Sequence, residues 1–122
     1  MSRDASRRLA DMIAAAELIV AWTPAGGGDA LVDDIATRYK LERAIEILGE
    51  AAKHVPPDVQ TLAPEFPWRQ AAGMRDVLAH AYFDIDPDVL ASVGLVALPN
   101  ALPHLIALRD RLATIEAAQS EA

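Results

Sequence analysis

The 122-residue chain predicts an all-α domain, an up-and-down bundle of about five helices, on three grounds. About half the residues are apolar, at 52%, and Ala and Leu dominate them over β-branched and aromatic types, which favours helix over sheet. The apolar residues recur at three-to-four spacing. Glycine and proline gather between those stretches, where helices must end.

In chain order, Leu9, Met12, Ile13, Ala16 and Val20 define a first helix over 3–22, with Arg7, Arg8, Asp11 and Glu17 largely off its stripe. The run Thr23-Pro24-Ala25-Gly26-Gly27-Gly28 breaks it. No Gly-Lys-Ser/Thr follows and no strand precedes, so this is a flexible loop and not a phosphate cradle. Asp29 is placed to cap a second helix that runs to His54 on the stripe Val32, Ile35, Tyr39, Ile45, Leu48 and Ala52, with Tyr39 expected in the core. Pro56 and Pro57 stop it. Residues 56–67 hold four prolines and read as a connector with one short turn around 58–62. Pro67 and Trp68 open a third helix that reaches His80 or Ala81. Tyr82-Phe83-Asp84-Ile85 interrupts the pattern, and Asp86-Pro87 starts a short fourth helix to Leu98. Pro99 and Pro103 limit its continuation. A last helix carries Leu102, Leu105, Ile106, Leu112 and Ile115, so residues 1–118 form one domain and 119–122 a polar tail.

Composition narrows the functional classes. With no cysteine, disulfides, thiolate metal sites and cysteine nucleophiles drop out together, and a reducing compartment fits. No apolar run in the sequence approaches the ~18 residues a membrane span needs, and the start of the chain lacks a signal-peptide core, so a cytoplasmic protein away from the membrane is expected. A net charge of −7 opposes a broad nucleic-acid footprint and leaves room for a local basic patch or a basic protein partner. His54, His80 and His104 have no helical spacing for a shared metal, so no metal and no cofactor is expected.

One segment concentrates chemistry. Gly73-Met74-Arg75-Asp76-Val77-Leu78-Ala79-His80-Ala81-Tyr82-Phe83 places a guanidinium, an imidazole and a phenol within eight positions. At ~100° per residue Arg75 and Tyr82 nearly eclipse, and Asp76 and His80 share a face. Arg75 and His80 point ~140° apart on a regular helix, so they serve one phosphate only if a second chain or a bent helix end joins them. Histidine moves protons near neutral pH and arginine stabilises phosphorane charge, a pair suited to cleaving a phosphodiester through the ribose 2′-hydroxyl. Asp76 could hold the His80 tautomer. The plainer alternative is a surface ion pair and a helix-capping histidine. Glu50 offers either a cleft carboxylate or a structural salt bridge; Arg43, Lys53, His54 and Arg69 offer a local positive patch or solvated charge. Trp68 is a stacking face or core.

The same run resembles the HepT-like branch of the HEPN superfamily, whose signature is Arg, four residues, His, one residue, Tyr. Ile45-Glu46-Ile47-Leu48-Gly49-Glu50-Ala51-Ala52-Lys53 looks like that family's Gly-Glu-Ala-Ala helix, and Pro67-Trp68 enters the motif helix as in the family. The resemblance spans about residues 29–105. It implies an all-α homodimer with Arg75, His80 and Tyr82 as catalytic residues in two motifs meeting across a cleft. It also implies RNA, such as tRNA or mRNA, as substrate in a type VII toxin–antitoxin system. The implied partner is a MntA-like nucleotidyltransferase antitoxin that adenylylates Tyr82. Asp76, often Asn in the family, and Ala81, often Glu, depart from its commoner pattern.

Overall fold

The computed structural model describes residues 3–80 and 85–121, and these are helical throughout apart from short links. The elements are α1 (Arg3–Trp22), α2 (Gly28–Leu31), α3 (Ile35–Lys53), α4 (Pro57–Gln60), α5 (Trp68–His80), α6 (Pro87–Ser92), a π-helical stretch (Val93–Ala97) and α7 (Leu98–Glu121). All-α is thus the observed class, with more pieces than the periodicity suggested.

Helix α3 is the organising element. It packs against α1 on one side and α5 on the other, while α7 packs on α1. Leu9, Met12, Ala16 and Ile19 of α1 meet Leu41, Ile45 and Leu48 of α3 and Leu105, Leu108 and Leu112 of α7 in one buried core. The Ser6 hydroxyl donates to Glu116 at 2.7 Å near one end of the α1–α7 pair, and Gly94 abuts Thr23 at the other, so the two run antiparallel.

Several expectations need correction. The predicted second helix is divided at 32–34: Gly27, with φ of 72°, precedes the one-turn α2, and Asp34, not Asp29, caps α3 by accepting from the Thr37 amide at 3.1 Å. A carboxylate at that position satisfies an amide that has no partner within the helix. Val32, Ile35 and Tyr39 fit the stripe in spacing, yet all are exposed, Tyr39 by 61%, because the stripe turns into the core only from Leu41 onward. Pro99 and Pro103 do not stop the last helix. Between Val93 and Ala97 the backbone widens to π geometry, which relieves the contact a proline ring makes with the carbonyl four residues back. Pro103 stands inside α7, where the ~3 kcal/mol propensity cost is offset by burying Leu98, Ala101, Leu105, Leu108 and Leu112. The continuous run Pro87–Glu121 is therefore long and apolar enough, by length and composition, to cross a membrane, contrary to expectation; its apolar face is the one that fills the bundle. Gln119–Glu121, expected as tail, continue the helix.

Other expectations hold. The Asp86 side chain accepts from the Asp88 amide at 2.8 Å ahead of Pro87, and the proline-rich connector contains only the four-residue α4. Trp68 packs edge-on against Phe66, with ring centroids 4.7 Å apart, and its indole N–H donates to the Ala63 carbonyl at 3.0 Å, so it closes the core at the start of α5.

Candidate functional site

The site begins where α3 and α5 touch. A Cβ on Gly49 would lie 2.5 Å from the Arg75 Cβ and 2.6 Å from the Ala71 carbonyl oxygen, so only glycine permits this approach. That approach carries the next residue, Glu50, to Arg75. Glu50 Oε2 lies 2.9 Å from Arg75 Nε, and Asp76 Oδ1 lies 3.4 Å from the same guanidinium's Nη1. The Asp76 carboxylate is also 3.1 Å from Lys53 Nζ, one turn along α3 from Glu50. A ladder results, with Glu50 and Lys53 on α3 set against Arg75 and Asp76 on α5.

Lys53 and, secondarily, Arg75 hold the Asp76 carboxyl below its ordinary value of 3.8, mainly through the Lys53 hydrogen bond. His54 sits behind Glu50: its Nδ1–H donates to the Glu50 carbonyl at 2.8 Å, and Nδ1 is 3.7 Å from Glu50 Oε1. Because a carbonyl can only accept, this contact places the ring proton on Nδ1.

Beside the ladder lies a pocket of about 260 Å³ lined by Arg8 and Asp11 of α1, by Arg43, Glu46, Ile47, Glu50 and Ala51 of α3, and by Arg75. Arg43 is bound to Glu46 at 3.1 Å, and Arg8 lies 3.7 Å from Asp4. Arg75, one third exposed, reaches this pocket with donors to spare, since a guanidinium carries five N–H groups in a fixed fork.

The structure therefore brings together Arg75, Asp76 and Glu50 of the sequence-selected residues. His80 closes α5, and its side chain lies outside the described part; Tyr82 lies outside the described residues altogether. The expected partner of Asp76 was His80; its described partners are Lys53 and Arg75. Of the expected positive patch only Arg43 lines the pocket, joined there by Arg8 and Arg75; Arg69 is exposed at the start of α5, and Lys53 pairs with Asp76. Arg8 and Asp11 were read only as the polar face of α1; nothing local signals a neighbour more than sixty residues away. Among the described residues no group of three or more His, Asp or Glu stands ready to hold a metal.

A helical domain whose glycine-backed α3 presses a glutamate onto the arginine of an Arg-x4-His helix is a domain of the HEPN ribonuclease class. The chain belongs to the ribonuclease HepT-like family, whose sequence profile matches residues 12–108. It is 43% identical over 90 residues to a probable ribonuclease HepT of Thermococcus cleftensis, covering 74% of this chain and 82% of that one. A candidate RNase of Methanocaldococcus jannaschii is 33% identical over 84 residues, covering 69% of this chain and 72% of its own. A longer protein of the same organism, named as a gamma-glutamylcyclotransferase and candidate RNase, is 29% identical over 116 residues, covering 92% of this chain and half of its own length. No solved structure matches the chain.

Proposed function

We propose that this ribonuclease-family chain is the endoribonuclease toxin of a type VII toxin–antitoxin pair, cutting RNA without a metal at a site shared by two copies of the chain. The observation that carries the reading is Arg75, held by Glu50 at 2.9 Å at the edge of an open pocket, on the helix whose last residue is His80. Glu50 fixes the guanidinium through Nε and Asp76 accepts from Nη1, which leaves the remaining N–H groups of the fork to meet a phosphate. As the 2′-hydroxyl attacks, phosphorane charge grows on the non-bridging oxygens, and Arg75 stabilises it. His80 takes the 2′-hydroxyl proton or protonates the departing 5′-oxygen as its bond to phosphorus breaks, leaving a 2′,3′-cyclic phosphate and a 5′-hydroxyl end. Both groups come from the protein, so neither proton transfer nor charge stabilisation calls for a metal. On the ~140° separation of Arg75 and His80, one copy supplies the arginine and the other the histidine to each phosphate. Adenylylation of the Tyr82 phenol by a MntA-like nucleotidyltransferase antitoxin would add bulk and negative charge next to the motif and silence it.

The test is cleavage of total RNA by the purified protein beside Arg75→Ala and His80→Ala. Each substitution should lower the cleavage rate by about 10²–10³-fold; cleavage that persists in both removes the site assignment. Co-expression with an adjacent nucleotidyltransferase should add AMP mass to the Tyr82 peptide, and an unmodified Tyr82 removes the antitoxin reading. A second reading, a non-catalytic helical dimer that holds nucleotide or the partner nucleotidyltransferase, is favoured by the net charge of −7 and by the carboxylates already on Arg75. It predicts no cleavage by the unmodified protein.

A further inference from the structure

We infer that the end of the bundle built from α2, the start of α3, α6 and the π-helical stretch docks a basic, amphipathic segment of another protein. Among the described residues, Val32, Ile35, Val89, Leu95 and Val96 are large apolar side chains left between 42% and 59% exposed. The fold gathers them. Helix α6 packs on α2 and on α3. A Cβ on Gly28 would lie 2.8 Å from the Asp88 Cα, and one on Gly27 would lie 3.9 Å from Leu95 Cδ1, so α2 rests directly on α6 and on the π-helical stretch. Val32 and Ile35 follow at the α2–α3 joint, outside the core. Exposed apolar side chains collected in one place and rimmed by charge mark an interaction site.

The charges on the rim decide the occupant. Residues 23–37 and 85–100 carry Asp29, Asp33, Asp34, Asp86 and Asp88 and no Lys or Arg, so they hold five of the chain's seven net negative charges. Asp34 and Asp86 cap α3 and α6. Asp29, Asp33 and Asp88 are exposed and pair with no cation among the described residues. Arg38, the next cation along the chain, is buried and donates to the Val32 carbonyl at 3.3 Å; the exposed Lys40 lies 5.7 Å from the Trp22 ring centre. A nucleic-acid strand and an anionic lipid surface both present phosphates, which such a rim repels. A second copy seated on the same face would set carboxylates against carboxylates about a two-fold axis. A protein segment with Lys or Arg beside an apolar stripe matches both parts: its cations meet the aspartates, and its stripe covers the valines, Ile35 and Leu95. Ile35 lies fifteen residues before Glu50 on α3, roughly 22 Å along the helix, so the α2–α3 side of this face stands apart from the Arg75 pocket.

The experiment uses synthetic helical peptides of about 18 residues, five turns long, read by fluorescence anisotropy and by NMR shift mapping on the full chain. A peptide with Leu on one face and Lys on the other should bind, and the shifts should gather at 27–35 and 86–97. Two matched peptides, one with Glu for Lys and one with Ala for Leu, should each bind at least about tenfold more weakly. Asp29→Asn with Asp33→Asn removes two rim charges at exposed positions that cap no helix, and should weaken the Leu/Lys peptide by about tenfold. Asp58→Asn with Glu65→Gln changes the net charge equally on the connector and should leave binding as it was. Val32→Ser with Val96→Ser tests the apolar part and should weaken binding while the helical circular dichroism is retained. Equal weakening by the two charge pairs, shifts centred elsewhere, or no binding of the Leu/Lys peptide overturns the inference. So does capture by anionic phospholipid vesicles, or self-association that Val32→Ser with Val96→Ser abolishes. The Asp29→Asn, Asp33→Asn protein should cut RNA at the native rate, so the ribonuclease reading stands or falls separately, on the Arg75→Ala and His80→Ala cleavage assay.

Discussion

At the scale of single residues, magnitudes separate the two roles Glu50 could have. Its side chain and that of Arg75 are 45% and 33% exposed, and an ion pair in such a setting contributes no more than about 1 kcal/mol to stability. Orientation of Arg75 is the larger effect. Glu50→Ala should therefore lower cleavage by roughly tenfold or more while moving the melting temperature by only a few degrees, measured by initial rates and by thermal circular dichroism. Asp76 gives a second check. Its carboxyl is held low by Lys53, so the folded state favours the ionised form; the associated stability is present above pH 3.8 and is lost as pH falls through the lowered value. In an NMR titration the Asp76 carboxyl of the native protein should titrate below 3.8, and Lys53→Met should bring it upward. An unmoved titration in that variant would mean that Lys53 is not the cause. Arg75 and Asp76 were legible in the sequence because motif chemistry is local. Their partners Glu50 and Lys53, more than twenty residues earlier, were suspected without an assigned contact, since periodicity says which way a residue faces on its own helix and not which helix it faces.

At the scale of elements, the helices were legible and their joints were not. The cores of α1, α3 and α5 follow apolar periodicity, and Asp86-Pro87 announced α6 correctly. The break at 32–34 escaped because Val32 and Ile35 continue the stripe in spacing while lying outside the core, at 51% and 54% exposure. The signal that could have found it is Asp34 three residues ahead of Thr37, whose amide at 3.1 Å and hydroxyl at 2.8 Å both donate to the Asp34 carboxylate. Asp34→Ala should cost about 1 kcal/mol of unfolding free energy in urea denaturation, and Asp29→Ala close to none. The continuity of the Pro87–Glu121 run escaped for a different reason. Two prolines in five positions read as a stop, yet a π turn precedes Pro99 and the buried residues around Pro103 hold the chain helical through it.

At the scale of the whole molecule, α3 joins two sides of different make-up: α1 and α7 supply nearly half of the buried core, and α5, which carries Arg75 and Asp76, only packs against it. Gly49 is the contact between them. Gly49→Ala would push a methyl group into the Arg75 Cβ and the Ala71 carbonyl, and such overpacking costs about 1–3 kcal/mol if α5 moves to accommodate it. Because α1 and α7 do not share that contact, the variant should stay folded at 25 °C, with a lowered melting temperature and a cleavage rate reduced by at least tenfold. A fully active Gly49→Ala would show that α5 can shift without moving its arginine. The glycine was visible in the sequence only through the family resemblance; its reason lies in a backbone approach between residues that are 26 positions apart in the chain.

That close approach also bears on heredity. If the chain arrests growth, cells that survive it will carry lesions in its gene, and an inventory of the survivors is a map of what the toxin needs. Position 49 should appear in it beside 75 and 80. Every base change at the first two positions of a glycine codon replaces the glycine, so this position offers a target for escape through the placement of Arg75 alone.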